Sequence, residues 1–232
     1  MSRRCLQGAE VVVNLSASPF RIGVEASRRE LVCTRASDYQ ATVLYVNAVG
    51  SNDGLVFDGG GFIAQNGRLL LAAPRFVAGT SALTLDIDRT RRLRAENTTF
   101  RRDAATYQTG LPATEAAHRL TLRHGTEPHK TLCFVPPVGG SFFLPRDTRP
   151  PSPRQQFCEE LLSAMTLGIG DYFEKSGAFR HIGVALSGGR DSLLCLLLAH
   201  RYAVSRLPPS EVGTLLRAFF MPTRYSSQAT RQ

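Results

Sequence analysis

Apolar residues fall along this chain in short blocks separated by turn formers, and the spacing inside each block names an element. Residues 9–16 form an apolar run that ends at the Ser18-Pro19 turn, which predicts a buried strand. The polar stretch 25–40 predicts a helix. Residues 42–47, rich in β-formers, predict a second strand. Three further strands are expected over 55–57, 62–65 and 68–71, the last two joined by Asn66-Gly67. Asn-Gly between apolar runs is the strongest short signal for a hairpin. One more strand is expected over 83–87, and from residue 89 to about 131 the pattern weakens into an extended connector.

Pro145, Pro150, Pro151 and Pro153 then interrupt the chain, a density that suits neither helix nor inner strand. This predicts a domain boundary over 145–153, with one unit over 1–144 (its connector being 89–144) and a second over 154–232. Phe157, Leu161, Ala164 and Gly168 recur at helical spacing, so 154–175 is expected to be an amphipathic helix. The apolar run 182–186 reads as a strand and 193–199 as part of a helix. After Pro208-Pro209-Ser210, residues 215–221 read as the next strand. Strand, helix, strand at this spacing predicts a parallel α/β sheet, whose ligands sit beyond the carboxyl ends of the strands.

The bulk numbers narrow the classes. With 232 residues, 43% hydrophobic and 20% charged, the chain can bury one large core or two small ones. No apolar run approaches the roughly 18 residues that span a bilayer. The apolar stretch behind the basic start is broken by Glu10 and is too short for a secretory signal. Cys5, Cys33, Cys133, Cys158 and Cys195 are scattered without a CxxC pair, which argues against a disulfide framework or zinc site and for a reducing cytoplasm. The net charge is +9, and Arg89, Arg91, Arg92, Arg94, Arg101 and Arg102 cluster. Lacking interleaved aromatics, that cluster reads as a solvated or subunit-facing connector, so neither nucleic acid nor membrane is expected as a partner.

The chemistry concentrates in Ser187-Gly188-Gly189-Arg190-Asp191-Ser192, between the strand at 182–186 and the following helix. Two glycines let backbone approach a ligand closely, two hydroxyls flank them, and the loop opens a helix whose first N–H groups favour an anion. A pyrophosphate fits. The lysine of a Walker A loop is absent, which excludes that class. Asp191 reads either as a cation ligand, since a bare carboxylate would repel phosphates, or as an N-terminal helix cap. The hexapeptide resembles the SGGxDS loop of N-type ATP pyrophosphatases. That resemblance implies ATP as cosubstrate, bound around Leu186, Ser187, Gly188, Gly189, Asp191 and Ser192, with Asp191 a Mg²⁺ ligand. Arg190 stands where the family usually has an apolar residue; it either reaches phosphate or points to solvent.

Residues 8–20, Arg28-Arg29, 45–50 and 53–60 are similar to the glutaminase domain of glutamine-dependent NAD⁺ synthetases. Residues 171–177 and 221–227 are similar to the synthetase domain of the same family. The resemblance implies part of a nitrilase-like αββα sandwich followed by the start of a Rossmann-like synthetase domain. It further implies hydrolysis of glutamine to ammonia, adenylation of nicotinic acid adenine dinucleotide by ATP, displacement of AMP by ammonia to give NAD⁺, and a homo-oligomer. Met221 corresponds to a position whose backbone meets adenine, or is a strand-end core residue. Ser18 corresponds to a glutamine contact, or is a turn hydroxyl before Pro19. Where a basic residue often follows six positions after that serine, this chain has Val24, with Arg21 or Arg28 as replacements. No residue of the chain fits the catalytic cysteine, glutamate and lysine. Cys5 stands too close to Gly8 and reads as packing, and Cys33 and Cys195 read as structural. The expectation is a central fragment of a longer enzyme, without glutaminase activity of its own. The alternatives are another ATP pyrophosphatase, such as an amidotransferase ligase or tRNA-modifying enzyme, and a non-catalytic partner subunit.

Overall fold

The computed structural model describes residues 2–110, 120 and 151–221. A short helix α1 (Ser2–Leu6) leads into strand β1 (Val11–Ser16), helix α2 (Val24–Asp38) and strand β2 (Thr42–Asn47). β1 and β2 pair in parallel, Val11 beside Thr42 and Ser16 beside Asn47, with α2 as the crossover. β3 (Val49–Asn52), β4 (Leu55–Gln65) and β5 (Arg68–Arg75) complete a mixed five-stranded sheet in the order β1-β2-β4-β3, with β5 also on β4. The Asn66-Gly67 hairpin is present, with φ of 50° and 88° at its two residues, the left-handed pair that a two-residue hairpin of matching twist requires.

Several features of this half depart from the pattern-based expectation, an unpredicted β3 among them. Residues 55–57 and 62–65 belong to one strand, because β4 runs unbroken through Gly59, Gly60 and Gly61. A Cβ on Gly61 would lie 2.7 Å from the Tyr45 carbonyl oxygen, so the missing side chain serves close strand approach and does not mark a break. No strand forms over 83–87. Asp86 accepts a hydrogen bond from the Arg89 N–H and caps helix α3 (Ile87–Glu96), a local arrangement that wins over a short apolar run. Asn97 caps α4 (Thr98–Thr109) in the same way. The segment expected to be an extended connector is therefore helical over 87–96 and 98–109, while most of 111–131 lies outside the described residues.

Its arginines are not uniformly solvated either. Arg94 is buried, donating to the carbonyls of Gln40 at 2.7 Å, Ala9 at 2.7 Å and Tyr39 at 3.1 Å, with its guanidinium over the Phe100 ring. Arg91 pairs with Glu10 beside β1. These contacts hold α3 against the edge of the sheet.

The core lies between α2 and one face of the sheet. Val32 and Ala36 pack on Val43, Tyr45, Phe62 and Ala64, each large apolar side chain contributing about 1.5–3 kcal/mol by burial. The opposite face carries Val13 and Val46, which stay exposed, as does Leu15 at 79%.

The prolines at 145 and 150 lie outside the described residues. After them α5 (Pro153–Ser176) begins with a reciprocal capping box between Ser152 and Gln155, has Pro at its first position, and stops at Gly177 with φ of 60°. β6 (Ile182–Leu186), α6 (Arg190–Arg206), a single 3₁₀ turn, the short α7 (Val212–Leu215) and β7 (Leu216–Phe220) follow. β6 and β7 pair in parallel, Ile182 beside Leu216 and Leu186 beside Phe220, as the strand–helix–strand pattern predicts. α5 packs against α6 on one side and reaches β3 and β4 on the other.

Candidate functional site

The loop 187–192 sits where β6 gives way to α6. Gly188 takes a φ of 78°, a conformation that a side chain resists, and Gly189 returns to extended backbone as the residue before the helix. The two hydroxyls brace the turn. Ser192 Oγ donates to the Gly189 carbonyl at 3.0 Å and accepts from the Ser187 N–H at 3.3 Å. Ser187 Oγ lies 3.2 Å from Ser192 Oγ and accepts from the Gly189 N–H at 3.3 Å. The loop is thus organised before anything binds. No side chain caps α6, so the N–H groups of its first turn point into solvent with the positive end of the helix dipole behind them.

Leu186 ends β6 beside Phe220, the last residue of β7, so Met221 emerges at the same carboxyl edge; it is 66% exposed. Ser187, Gly188, Gly189, Ser192, Leu186 and Met221 therefore meet at one end of the small parallel sheet. Arg190 and Asp191 are exposed and make no hydrogen bond or ion pair among the described residues. Asp191 does not act as the helix cap. The described residues also contain no group of three or more His, Cys, Asp or Glu side chains able to hold a metal. A single carboxylate beside a loop that favours an anion would suit Mg²⁺, an ion that keeps several waters and shares its ligands with substrate phosphates.

The Ser18 turn is built quite differently. Asn47 accepts from the Ser18 N–H at 2.8 Å and donates back to its carbonyl at 3.0 Å. Arg28 Nη2 donates to the Ser18 carbonyl at 2.8 Å, the Ser18 hydroxyl at 3.0 Å and the Pro19 carbonyl at 3.1 Å. Arg28 Nη1 forks onto both oxygens of the fully buried Asp58, at 2.7 and 2.9 Å. Arg28 is therefore occupied in holding Ser18, while Arg21 is exposed and Val24 is buried. The Ser18 hydroxyl keeps its own proton free to donate.

Sequence reasoning missed the rest of this network. Arg75 Nε donates to Asp58 at 2.9 Å, and its Nη1 donates to Glu160 of α5 at 2.6 Å and to Glu25 of α2 at 3.2 Å. One signal was legible: a carboxylate inside an apolar strand run must find cations, and Arg28 and Arg75 were within the same half. A second seam lies near the other end of α5. Asp171 accepts from the Ser51 N–H at 2.6 Å and pairs with Lys175 at 2.7 Å, while Lys175 also donates to the Ser51 carbonyl at 2.6 Å. Burial pushes the Asp171 carboxyl up, but Lys175 and Ser51 together bring it below the ordinary carboxylate range.

Cys5 is fully buried, and burial pushes its thiol up despite the adjacent Arg94. The Cys33 thiol is raised for the same reason. Both shifts oppose the thiolate that a nucleophile requires. Cys195 and Cys158 are exposed, and Cys133 lies outside the described residues. A cavity of about 740 Å³ lies between the β3–β4 hairpin and α5, lined by Val56, Ile169, Tyr172, Phe173 and Phe179 among others. It contains none of the residues 187–192, so the cavity and the loop do not coincide.

A glycine-rich loop opening a helix at the carboxyl edge of parallel strands, joined to a mixed α/β sheet unit, defines a Rossmann-like α/β protein. No protein-family model matches the chain. Along nearly its whole length, however, the chain is similar to glutamine-dependent NAD⁺ synthetases. It is 30% identical to that of Synechocystis sp. over 227 residues, which is 97% of this chain and 30% of the relative. It is 30% identical to that of Aquifex aeolicus over 96% of this chain and 34% of the relative, and to that of Thermotoga maritima over 96% and 33%. The chain thus spans about a third of the length of these curated relatives. Solved structures of glutamine-dependent NAD⁺ synthetase share the fold. That of Acinetobacter baumannii, in complex with adenosine diphosphate, gives a TM-score of 0.61 at 21% identity over 99% of this chain and 32% of its own. That of Cytophaga hutchinsonii gives 0.59 at 20% identity over 98% of this chain.

Proposed function

We propose that this chain supplies the pyrophosphate-gripping loop, and part of the glutamine-binding half, of an enzyme that amidates nicotinic acid adenine dinucleotide to NAD⁺ with glutamine as nitrogen donor. The substrate carboxylate attacks the α-phosphorus of ATP and diphosphate leaves. Ammonia then attacks the acyl carbon of the adenylate and AMP leaves. A carboxylate is a poor acyl donor until its oxygen becomes a leaving group, and splitting ATP at that phosphorus makes it one. Mg²⁺, when bound through Asp191 and the phosphates, supplies charge neutralisation for the departing diphosphate. The first-turn N–H groups of α6 and the Ser187 hydroxyl hold the phosphate oxygens, Ser192 keeps the loop braced through the Gly189 carbonyl, and Met221 lies at the adenine edge. Ser18 donates its hydroxyl proton to glutamine. A cytoplasmic location and a homo-oligomer are part of this reading; among the described residues no helix is long and apolar enough to cross a membrane.

The observation that carries the proposal is the pre-braced loop, whose first-turn donors are uncapped and whose one carboxylate, Asp191, is unpaired among the described residues. Calorimetry with ATP and Mg²⁺ tests it. Asp191→Ala is expected to weaken Mg²⁺-dependent ATP binding by at least about tenfold while leaving the circular dichroism spectrum unchanged. Equal affinities for the two proteins would refute the assignment.

A further inference from the structure

The Ser18 turn and helix α5 are read by one side chain. Arg75 touches Asp58 with Nε and Glu160 with Nη1. Asp58 in turn grips Arg28, and Arg28 holds the Ser18 carbonyl and hydroxyl and the Pro19 carbonyl. The Arg75 guanidinium also lies over the Phe76 ring, 4.9 Å from its centroid. Phe76 packs edge-on against Phe20 of the same turn. Both polar and aromatic contacts therefore run from α5 to the residues flanking Ser18. α5 cannot tilt freely, because Asp171 and Lys175 fix its far end to Ser51. At 1.5 Å per residue the two anchor points lie about 16 Å apart along the helix. From α5 the chain passes through Gly177 into β6 and the 187–192 loop.

We infer that Arg75 is a positioning residue that sets the Ser18 hydroxyl according to how α5 is seated, so that the Ser18 site is formed only when the helix leading to the phosphate loop is in place. A seam needing stability alone is served as well by apolar contacts, since a buried ion pair is often no better than well-packed hydrophobic residues of similar volume. What an ion network adds is register. Arg75 reaches three carboxylates through two nitrogens of one planar fork, Asp58 from Nε and both Glu160 and Glu25 from Nη1, an arrangement that lysine cannot reproduce. The ligand arm of the test rests on the proposed glutamine role of Ser18; the geometric arm does not.

Hydrogen exchange of the whole chain resolves the two arms. Glu160→Gln is compared with Glu159→Gln, which cuts an exposed pair with Arg201 on the same helix. Glu160→Gln is expected to speed exchange at the Ser18 and Phe20 amides, bonded to Asn47 and Val56, by about fivefold or more. Glu159→Gln is expected to leave them unchanged. An effect of Glu160→Gln confined to α5, or an equal acceleration of every amide, overturns the inference. Arg75→Lys is expected to act like Glu160→Gln, and normal exchange in that variant would also overturn it. In the second arm, glutamine protects the Ser18 segment of the wild-type chain and does so more weakly in Glu160→Gln. Equal protection in both proteins contradicts the inference. Absence of protection in the wild type alone defeats the glutamine reading and leaves the coupling measured by the first arm standing.

Discussion

Asp58→Asn isolates the hub of the charge network. The carboxylate is fully buried, and the side chains of Arg28 and Arg75 are only 9% and 14% exposed. Replacing one oxygen by an amide NH₂ removes the anion and turns a donor toward donors. Arg75 retains Glu25 and Glu160, so the uncompensated charge falls on Arg28. Breaking a buried pair costs about 3–5 kcal/mol, and because only one of the two cations loses all its anionic partners, the lower end, about 3 kcal/mol, applies. With a urea dependence of about 2 kcal/mol per molar, the unfolding midpoint should fall by about 1.5 M. The assay is urea unfolding followed by far-ultraviolet circular dichroism, with Asp88→Asn as a control, since Asp88 and Arg91 form an exposed pair. The control should leave the midpoint where it was. A fall of less than about 0.5 M for Asp58→Asn would show that the network is not the stabilising hub described.

Two further substitutions address the seam and the loop. The Asp171 carboxyl is held below its unfolded value of about 3.9, so its contribution is present above that pH and disappears as pH falls through the lower folded value. Asp171→Asn should therefore lower the urea midpoint more at pH 7 than at pH values below about 3.9; an equal loss in both ranges would contradict this sign. Gly188→Ala places a side chain at a φ of 78°, which costs about 1–2 kcal/mol locally. It should weaken pyrophosphate binding by about tenfold while the urea midpoint moves little; unchanged pyrophosphate affinity would count against the loop.

What could be read from the sequence was what is local in the chain. The hairpin at Asn66-Gly67 and the β6–α6–β7 unit each rest on contiguous residues, and so does the loop 187–192. The helices over 87–109 were missed because their start signals are single capping residues, Asp86 and Asn97, behind runs with weak apolar periodicity. β3 was missed because Val49-Gly50-Ser51-Asn52 carries no strand pattern of its own; pairing with β4 imposes it. The Ser18 network was out of reach for another reason. Residues 18, 28, 47, 58, 75 and 160 come from six places in the chain, and only the fold brings them together.

The two carboxylates at the centre of these sites show how partner count separates framework from chemistry. Asp58 accepts from Arg28 on both oxygens, and additionally from Arg75 and Asn47. No lone pair there is left for a ligand, and the charge is neutralised twice over. Asp191 stands at the positive end of α6, exposed, with no partner among the described residues. A carboxylate so placed is stabilised by the helix dipole by about 0.3–1 kcal/mol, yet it faces a loop shaped for an anion. Under the proposed function a cation shared between Asp191 and the phosphates would reconcile the two demands, so ATP binding should depend on Mg²⁺ and on this one side chain together. Removing Mg²⁺ from the wild-type chain should reproduce the affinity of Asp191→Ala, and removing both should cost no more than either alone. Additive losses would mean that Asp191 and the cation act separately, and the shared-cation argument would fail.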